Sequence, residues 1–153
     1  MEYILSAKKE DGCVFCNISS EEPSAENLII YKGKLSFVIM NKFPYNSGHI
    51  MVMPYSHKGE LSELTQEERI DLMDNLAFSV DKVNELMSPE GCNIGLNLGR
   101  SAGAGVVGHL HFHIVPRWNG DTNFMTVFDD VRVVPEHLIK TYKQLYTKFN
   151  GGE

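Results

Sequence analysis

The fold is decided by the stretch Gly108-His109-Leu110-His111-Phe112-His113-Ile114-Val115-Pro116-Arg117-Trp118. Its leucine, phenylalanine, isoleucine and valine favour β-structure, so the stretch predicts a strand. Successive side chains on a strand point to opposite faces, which places the three histidines in a row on one face and the apolar residues on the core face. Neighbours on one face lie roughly 6.5–7 Å apart. At that spacing the imidazoles do not bond each other, but together they line one small site.

These alternating histidines indicate a chemical site. Three of the six histidines in the chain lie in this run, and imidazole has the side-chain pKa nearest neutrality, so it acts as nucleophile, proton donor or metal ligand. One interpretation is a catalytic metal, as in three-histidine zinc sites, although a strand places its ligands in a line. The other is covalent catalysis, in which the central imidazole attacks a phosphorus atom.

A glycine-rich loop leads directly into the histidines. Residues 99–108 contain four glycines and three small residues, which let backbone N–H groups approach an anion closely. The loop is neither a Walker loop nor a dinucleotide fingerprint, since both require residues that it lacks. Its position before the histidines predicts a phosphate site and favours covalent catalysis.

A second candidate site is the Cys13-Val14-Phe15-Cys16 segment. The cysteine spacing is typical of metal ligands, and His57 and His109 are the candidates to complete a tetrahedral zinc site. Two buried thiols without a metal are an alternative. A redox pair is a third, but it requires a thioredoxin-like βαβ pattern that the sequence lacks.

Composition limits the class of protein. A chain of 153 residues with 42% hydrophobic and 22% charged residues is expected to form one soluble domain. Apolar runs are too short to span a membrane, and three cysteines without a secretory signal indicate the cytoplasm. A net charge of −6 argues against nucleic-acid binding. A locally positive site would still bind a small anion.

The remaining apolar runs predict four further strands. A Lys32-Gly33-Lys34 turn between the first two is typical of a hairpin. The first 26 residues are polar and contain glycine, proline and serine, so an irregular arm is expected over 1–26. A loop is expected at Pro44, Asn46, Ser47 and Gly48, and the strand that follows it ends at Pro54. The predicted strands are 28–31, 35–40, 49–53 and 93–98.

Two helices complete the prediction. Thr65 and Glu68 fit a capping box at the start of a long central helix, which Pro89 and Gly91 end. A C-terminal helix is expected over 134–149. The fold class is therefore α+β, with an antiparallel sheet of about five strands. The central helix has apolar residues every three or four positions, and these predict one core stripe: Ile70, Met73, Leu76, Ala77, Val80, Val83 and Met87.

The histidine run resembles the His-x-His-x-His-x-x motif of the histidine-triad superfamily of nucleotide hydrolases and transferases. The similarity runs from Cys13 to about Val134 and includes the segments 13–16, 40–49, 54–57 and 116–124. The last segment is similar to the fragile-histidine-triad branch, whose prokaryotic members are described as diadenosine-polyphosphate hydrolases or phosphorylases. The resemblance implies a single domain of this fold over 1–153, and a homodimer whose sheets join across the interface.

The resemblance also implies roles for single residues. His111 matches the nucleophile that forms a covalent nucleotidyl-histidine, His113 matches the third triad position, which contacts the phosphate, and His109 matches the first. Asn41 resembles the residue that binds the ribose, His49 lies in a segment lining the same pocket, and Asn97 resembles an asparagine that binds the phosphate or the leaving group. The implied substrate-binding residues are Asn41, His49, Asn97, Gly103, Ala104 and Gly105.

One position departs from the family pattern. Many members have glutamine four residues before the first triad histidine, where it binds a phosphate oxygen, and here that residue is Gly105. The missing side chain leaves space for inorganic phosphate as the acceptor, which favours a phosphorylase over a hydrolase.

The expected activity is cleavage of dinucleoside polyphosphates, above all diadenosine tetraphosphate, with phosphate or water resolving the intermediate. Magnesium would accompany the polyphosphate, and no organic cofactor is expected. The alternatives are a non-catalytic purine-nucleotide binding module, an adenosine phosphoramidate hydrolase and a metal-dependent hydrolase.

Overall fold

Five strands and three α-helices make up the part of the chain that the computed structural model describes, which is residues 12–42, 47–106, 108–121 and 135–152. Some predictions concern residues outside this part, namely the start of the arm, Pro44, Asn46 and Val134. The helices are α1 (Val14–Ser19), α2 (Gln66–Met87) and α3 (Pro135–Phe149). The strands are β1 (Ile29–Lys32), β2 (Ser36–Met40), β3 (Ile50–Pro54), β4 (Gly91–Leu96) and β5 (Phe112–Arg117).

The strands form one antiparallel sheet in the order β1-β2-β3-β5-β4. The predicted hairpin between β1 and β2 is confirmed, since the Gly33 N–H donates to the Ser36 carbonyl at 2.9 Å. β5 lies between β3 and β4, so the helix α2 that connects those two strands crosses over the sheet. The α+β fold with an antiparallel five-stranded sheet is confirmed.

β5 is shorter than the predicted histidine strand. It begins at Phe112, so His109 and His111 lie in the segment before it and only His113 belongs to the strand. The pairing between β3 and β5 ends at Val52 and Phe112. Pro54 explains this limit, because proline has no N–H for the ladder and its carbonyl accepts a hydrogen bond from the His109 ring at 2.7 Å.

Other predictions also differ from the structure, and β1 and β2 each begin one residue later than expected. The arm is not irregular throughout, because it contains α1. His49 precedes β3, which starts at Ile50. β4 covers 91–96 and not 93–98, since the Glu90 N–H already donates to the Arg117 carbonyl and the pairing with β5 starts there.

The core stripe of α2 was predicted only in part. The capping box of Thr65 and Glu68 is confirmed, and Leu76 and Val83 are buried as expected. However, Ile70 and Met73 are 55% and 62% exposed. The helix turns a partly polar face to the sheet instead, where the buried Asn75 amide donates to a serine hydroxyl of β2 at 2.9 Å.

The sheet separates two apolar clusters. The larger lies between the sheet and the helices α2 and α3 and includes Leu110 and Ile114, as the alternating pattern predicts. The smaller lies on the other face, where Phe15 of α1 packs on the sheet. The triad histidines lie on this second face. Within the described residues, no helix is both long and apolar enough to cross a membrane.

Candidate active site

The three triad histidines form one compact group. His109 and His111 are buried and His113 is half-buried. The rings of His111 and His113 tilt towards each other, so their centroids are 5.1 Å apart, less than the roughly 6.5–7 Å expected between neighbours on one strand face. The sequence prediction that the histidines face away from the main core is confirmed.

The ring of His111 has a defined tautomer. Its Nδ1 lies 2.9 Å from the His109 carbonyl oxygen, which only accepts, so Nδ1 carries the proton and Nε2 carries a free lone pair. Burial lowers the pKa of His111, while the hydrogen bond to the His109 carbonyl opposes this shift. His111 therefore presents a neutral imidazole whose Nε2 is able to act as a nucleophile.

The His113 ring contacts a second histidine, the fully buried His49. Nδ1 of His113 lies 2.9 Å from Nε2 of His49, and the Asn41 amide nitrogen lies 3.4 Å from the same Nε2. Burial and then the neighbouring His113 lower the pKa of His49 to about 3. Burial and then His111 lower the pKa of His113 to about 4. Both rings are neutral at pH 7, and His49 and Asn41 lie beside the triad as the sequence predicts.

Asn97 leaves the sheet close to the triad. β4 ends with Leu96 paired to Phe112, so the exposed Asn97 follows directly beside the segment that carries His111. Gly103 has a φ of +93°, and a Cβ there would lie 3.8 Å from the Asn97 amide nitrogen. The loop therefore folds back onto Asn97.

The glycine-rich loop is less open than the sequence predicts. The N–H groups of Gly103 and Ala104 donate within the loop, to the carbonyls of Arg100 and Gly99 at 3.0 and 3.2 Å. These two N–H groups are thus used by the turn itself, and substrate binding by Gly103 and Ala104 stays a prediction. Gly105 is not among the described glycines with positive φ.

Phe15 is a site residue that sequence reasoning missed. Its ring makes edge contacts to His109 and His111, with centroids 5.6 and 5.1 Å apart. It is 1% exposed and lies between the two cysteines of α1. The only signal in the sequence is an aromatic residue inside the cysteine pair, which does not show where the arm packs.

The predicted metal ligands come together. One ligand atom from each of Cys13, Cys16, His57 and His109 lies within 4.8 Å of every other. Nδ1 of His109 is 3.5 Å from the Cys13 sulfur and 3.4 Å from the Cys16 sulfur, and Nδ1 of His57 is 3.4 Å from Cys16. This cluster is able to hold a metal ion. The described part of the chain contains no corresponding cluster of the three triad imidazoles.

The donor geometry suits zinc. Tetrahedral zinc with Zn–S of about 2.3 Å and Zn–N of about 2.0–2.1 Å places sulfur and nitrogen about 3.6 Å apart, close to the separations found here. His109 faces the cluster with Nδ1 and hydrogen-bonds the Pro54 carbonyl through Nε2, the outer partner typical of metal-bound histidine. Burial and the adjacent Cys13 raise the pKa of Cys16 to about 11, so a metal ion bound there would displace the proton of this thiol.

The segment carrying His57 is fixed by α2. The Glu68 carboxylate accepts hydrogen bonds from Ser56 and from Lys58, the latter at 2.6 Å. Gly108 lets the ring approach the backbone, since a Cβ at that position would lie 3.1 Å from the His57 Nε2. Both neighbours of His57 in the chain are therefore anchored.

Comparisons with known proteins agree on one family. A model of the HIT domain matches residues 22–120. The chain is 42% identical over 124 residues to an AP-4-A phosphorylase of Mycobacterium tuberculosis, an alignment covering 81% of this chain and 64% of that protein. It is 28% identical to an adenosine 5'-monophosphoramidase of Schizosaccharomyces pombe, with 90% of this chain and 98% of that protein covered.

A solved structure shows the same fold. A zinc-bound histidine triad family protein from Mycobacterium smegmatis superposes with a TM-score of 0.71 at 27% identity. The superposition covers 90% of this chain and 93% of that protein.

Proposed function

The chain belongs to the HIT domain family, and we propose that it cleaves dinucleoside polyphosphates through a covalent intermediate on His111. In the first step Nε2 of His111 attacks the α-phosphorus, and the bond from that phosphorus to the leaving nucleotide breaks. In the second step phosphate or water attacks the same phosphorus, and the N–P bond breaks to regenerate the imidazole.

The observation that carries this proposal is the tautomer of His111. The hydrogen bond from Nδ1 to the His109 carbonyl leaves the Nε2 lone pair available on a neutral ring. An activated nucleophile needs this combination of a free lone pair and a fixed orientation. Phe15 adds a packing contact that restricts the ring.

We assign supporting roles to the surrounding residues. His113, oriented by the buried His49, contacts the phosphate, and Asn41 binds the ribose. Asn97 binds the phosphate or the leaving group, because it lies beside the segment that carries His111. The loop residues Gly103, Ala104 and Gly105 border the phosphate.

Phosphate is the proposed acceptor. Gly105 leaves space where a glutamine side chain would bind a phosphate oxygen, and the 42% identical mycobacterial relative is an AP-4-A phosphorylase. Phosphorolysis of diadenosine tetraphosphate gives ADP and ATP, whereas hydrolysis gives AMP and ATP. Magnesium would enter with the polyphosphate as part of the substrate.

The substitution His111→Asn tests the proposal. Turnover of diadenosine tetraphosphate, with and without inorganic phosphate, is expected to fall by roughly 10³-fold or more, because only the covalent step needs the imidazole. Nucleotide affinity, measured by calorimetry, is expected to persist. The matched control is His137→Asn, since His137 is exposed on α3.

Two outcomes would contradict the proposal. Activity of His111→Asn within about tenfold of the native protein would show that another group is the nucleophile. Native protein that binds nucleotides but neither turns over diadenosine tetraphosphate nor becomes labelled with adenylate would be a binding module and not an enzyme.

We also propose zinc as the metal of the cysteine–histidine cluster, where it ties α1 to the triad. The distances support this choice, and a zinc-bound protein with the same fold exists in Mycobacterium smegmatis. When bound, zinc would supply structural stabilisation. The chemistry at phosphorus stays with the imidazoles.

The proposed assembly is a homodimer of one-domain chains, each spanning 1–153. β4 is one of the two edge strands of the sheet, and its residues are largely exposed. Ile94 on β4 and Ile70 and Met73 on α2 are large apolar side chains at the surface. Such groups are typical of an interface.

A further inference from the structure

The glycine-rich loop carries one cationic residue, Arg100. It is the only charged residue from Asn97 to His113. Its side chain is exposed, and no group in the described ranges pairs with it. The other described arginines are engaged, since Arg69 donates to a backbone carbonyl and Arg117 pairs with Asp121.

The loop holds Arg100 at the end of the sheet where the triad lies. Residues Arg100–Ala102 form a 3-10 turn between Gly99 and Gly103, whose φ values are +80° and +93°. The turn is closed by the hydrogen bond from the Gly103 N–H to the Arg100 carbonyl at 3.0 Å. Because Gly103 lies against Asn97, the backbone of Arg100 is fixed close to the site.

A polyphosphate attacked by His111 would extend outward from a buried nucleophile. His111 is only 5% exposed, so it reaches the one phosphorus that it attacks, and the remaining phosphates lie further out. These phosphates are anionic, and the chain as a whole carries a net charge of −6. A cation on the protein near these phosphates therefore favours their binding. The guanidinium group matches phosphate oxygens with two parallel hydrogen bonds.

We infer that Arg100 binds the phosphates of the leaving nucleotide and thereby selects substrates whose leaving group is itself a polyphosphate. This inference rests on the proposed function. It distinguishes dinucleoside polyphosphates from adenosine phosphoramidate, whose leaving group is ammonia and offers nothing for Arg100 to bind.

The test compares two substrates in three variants. For Arg100→Ala, kcat/KM on diadenosine tetraphosphate is expected to fall about tenfold or more, the usual cost of a hydrogen bond to a charged group. On adenosine phosphoramidate it is expected to change less than about twofold. Arg100→Lys is expected to recover part of the loss, because lysine keeps the positive charge but lacks the planar guanidinium group that makes two parallel hydrogen bonds. Lys143→Ala removes one exposed charge on α3 as the control.

A binding measurement provides a second readout. In the His111→Asn background, Arg100→Ala is expected to weaken diadenosine tetraphosphate binding about tenfold and to leave AMP binding unchanged. Equal losses on both substrates, or no loss on the tetraphosphate, would overturn the role of Arg100. Native protein that turns over neither substrate would instead overturn the proposed function itself.

Discussion

At the scale of single residues, the pair of His49 and His113 links the site to stability. Both rings are neutral in the folded protein, because burial holds their pKa values at about 3 and about 4. In the unfolded chain a histidine has a pKa of about 6.5. The unfolded state therefore takes up protons first as the pH falls.

A decrease in stability between pH 6.5 and pH 4 follows from this difference. The free energy of unfolding is expected to fall by about 1.4 kcal/mol per pH unit for each proton taken up on unfolding. His49→Gln is expected to make this slope shallower, as measured by urea unfolding at pH 7 and pH 5. His137→Gln, at an exposed position on α3, is the control. An unchanged slope in the His49 variant would show that His49 does not titrate in this range.

Gly105 tests the choice of acceptor at a single position. In Gly105→Gln the new side chain fills the space proposed for inorganic phosphate and adds a hydrogen bond of about 1 kcal/mol to the substrate. The ratio of ADP to AMP formed from diadenosine tetraphosphate is expected to fall about fivefold or more.

The control for this substitution is Gly91→Gln, because a Cβ at Gly91 meets no heavy atom within 4 Å. Product ratios are read by chromatography in the presence of inorganic phosphate. A folded and active Gly105→Gln protein with the native ratio would exclude this glycine as the determinant of the acceptor.

At the scale of secondary-structure elements, β5 shows how far the sequence predicts the site. The alternation of histidines with apolar residues correctly predicted that the apolar residues of this segment lie on the core face. It did not reveal that pairing ends at Phe112, because that limit comes from Pro54 on another strand. Contacts between distant segments decide such boundaries, and single-sequence patterns do not contain them.

The helix α1 shows the same limit. The spacing of Cys13 and Cys16 predicted a cluster able to hold a metal, and the structure brings these two side chains together with His57 and His109. The polar composition of the arm concealed the short helix, whose buried residues pack on the sheet. A six-residue helix has too few periodic positions to be predicted from pattern alone.

The proposed zinc would anchor α1 in addition to its packing on the sheet through Phe15, and Cys16→Ser tests this. Native protein is expected to contain one zinc per chain by elemental analysis. The variant is expected to lose it and to melt several degrees lower, about 2–4 °C for each kcal/mol lost at this chain length. Nucleotide affinity is expected to change less, because Asn41 and His113, which we propose bind the ribose and the phosphate, are not members of the cluster. Cys92→Ser is the matched control, since Cys92 lies on β4 outside the cluster.

Metal-free native protein whose melting temperature equals that of Cys16→Ser would favour the alternative of two thiols without a metal. Zinc retained at full occupancy in Cys16→Ser would show that the ion binds at other residues.

At the scale of the whole molecule, the two edges of the sheet differ. The β1 edge is covered by the C-terminal region, where Tyr142 donates to the Ile29 carbonyl and Asn150 donates to the Ile30 carbonyl, at 2.8 and 2.9 Å. β4 pairs with β5 on one side, and its own residues remain largely exposed. An open strand edge is a template for pairing with another chain. In a two-fold dimer the same strand pairs with its own copy.

The apolar stripe predicted on α2 also bears on the proposed dimer. Periodicity predicted that Ile70 and Met73 would be buried, but in the single chain they are exposed. A periodic pattern of apolar residues predicts that they are buried, but it does not show whether the surface that covers them belongs to the same chain or to another copy. These residues are therefore candidates for the part of the surface that a second chain would cover in the proposed dimer.

Ile94 is the position that tests the dimer, because it lies in the middle of β4 and is 51% exposed. Ile94→Lys is expected to shift the chain from dimer to monomer, since a lysine there would place a charge in the proposed interface without a partner. Sedimentation velocity over a range of concentrations measures the change, and circular dichroism checks that the variant is folded. Ile139→Lys on α3, where the isoleucine is 40% exposed, is expected to leave the assembly unchanged. Native protein that sediments as a monomer at micromolar concentration, or a folded Ile94→Lys protein that remains a dimer, would exclude pairing through β4.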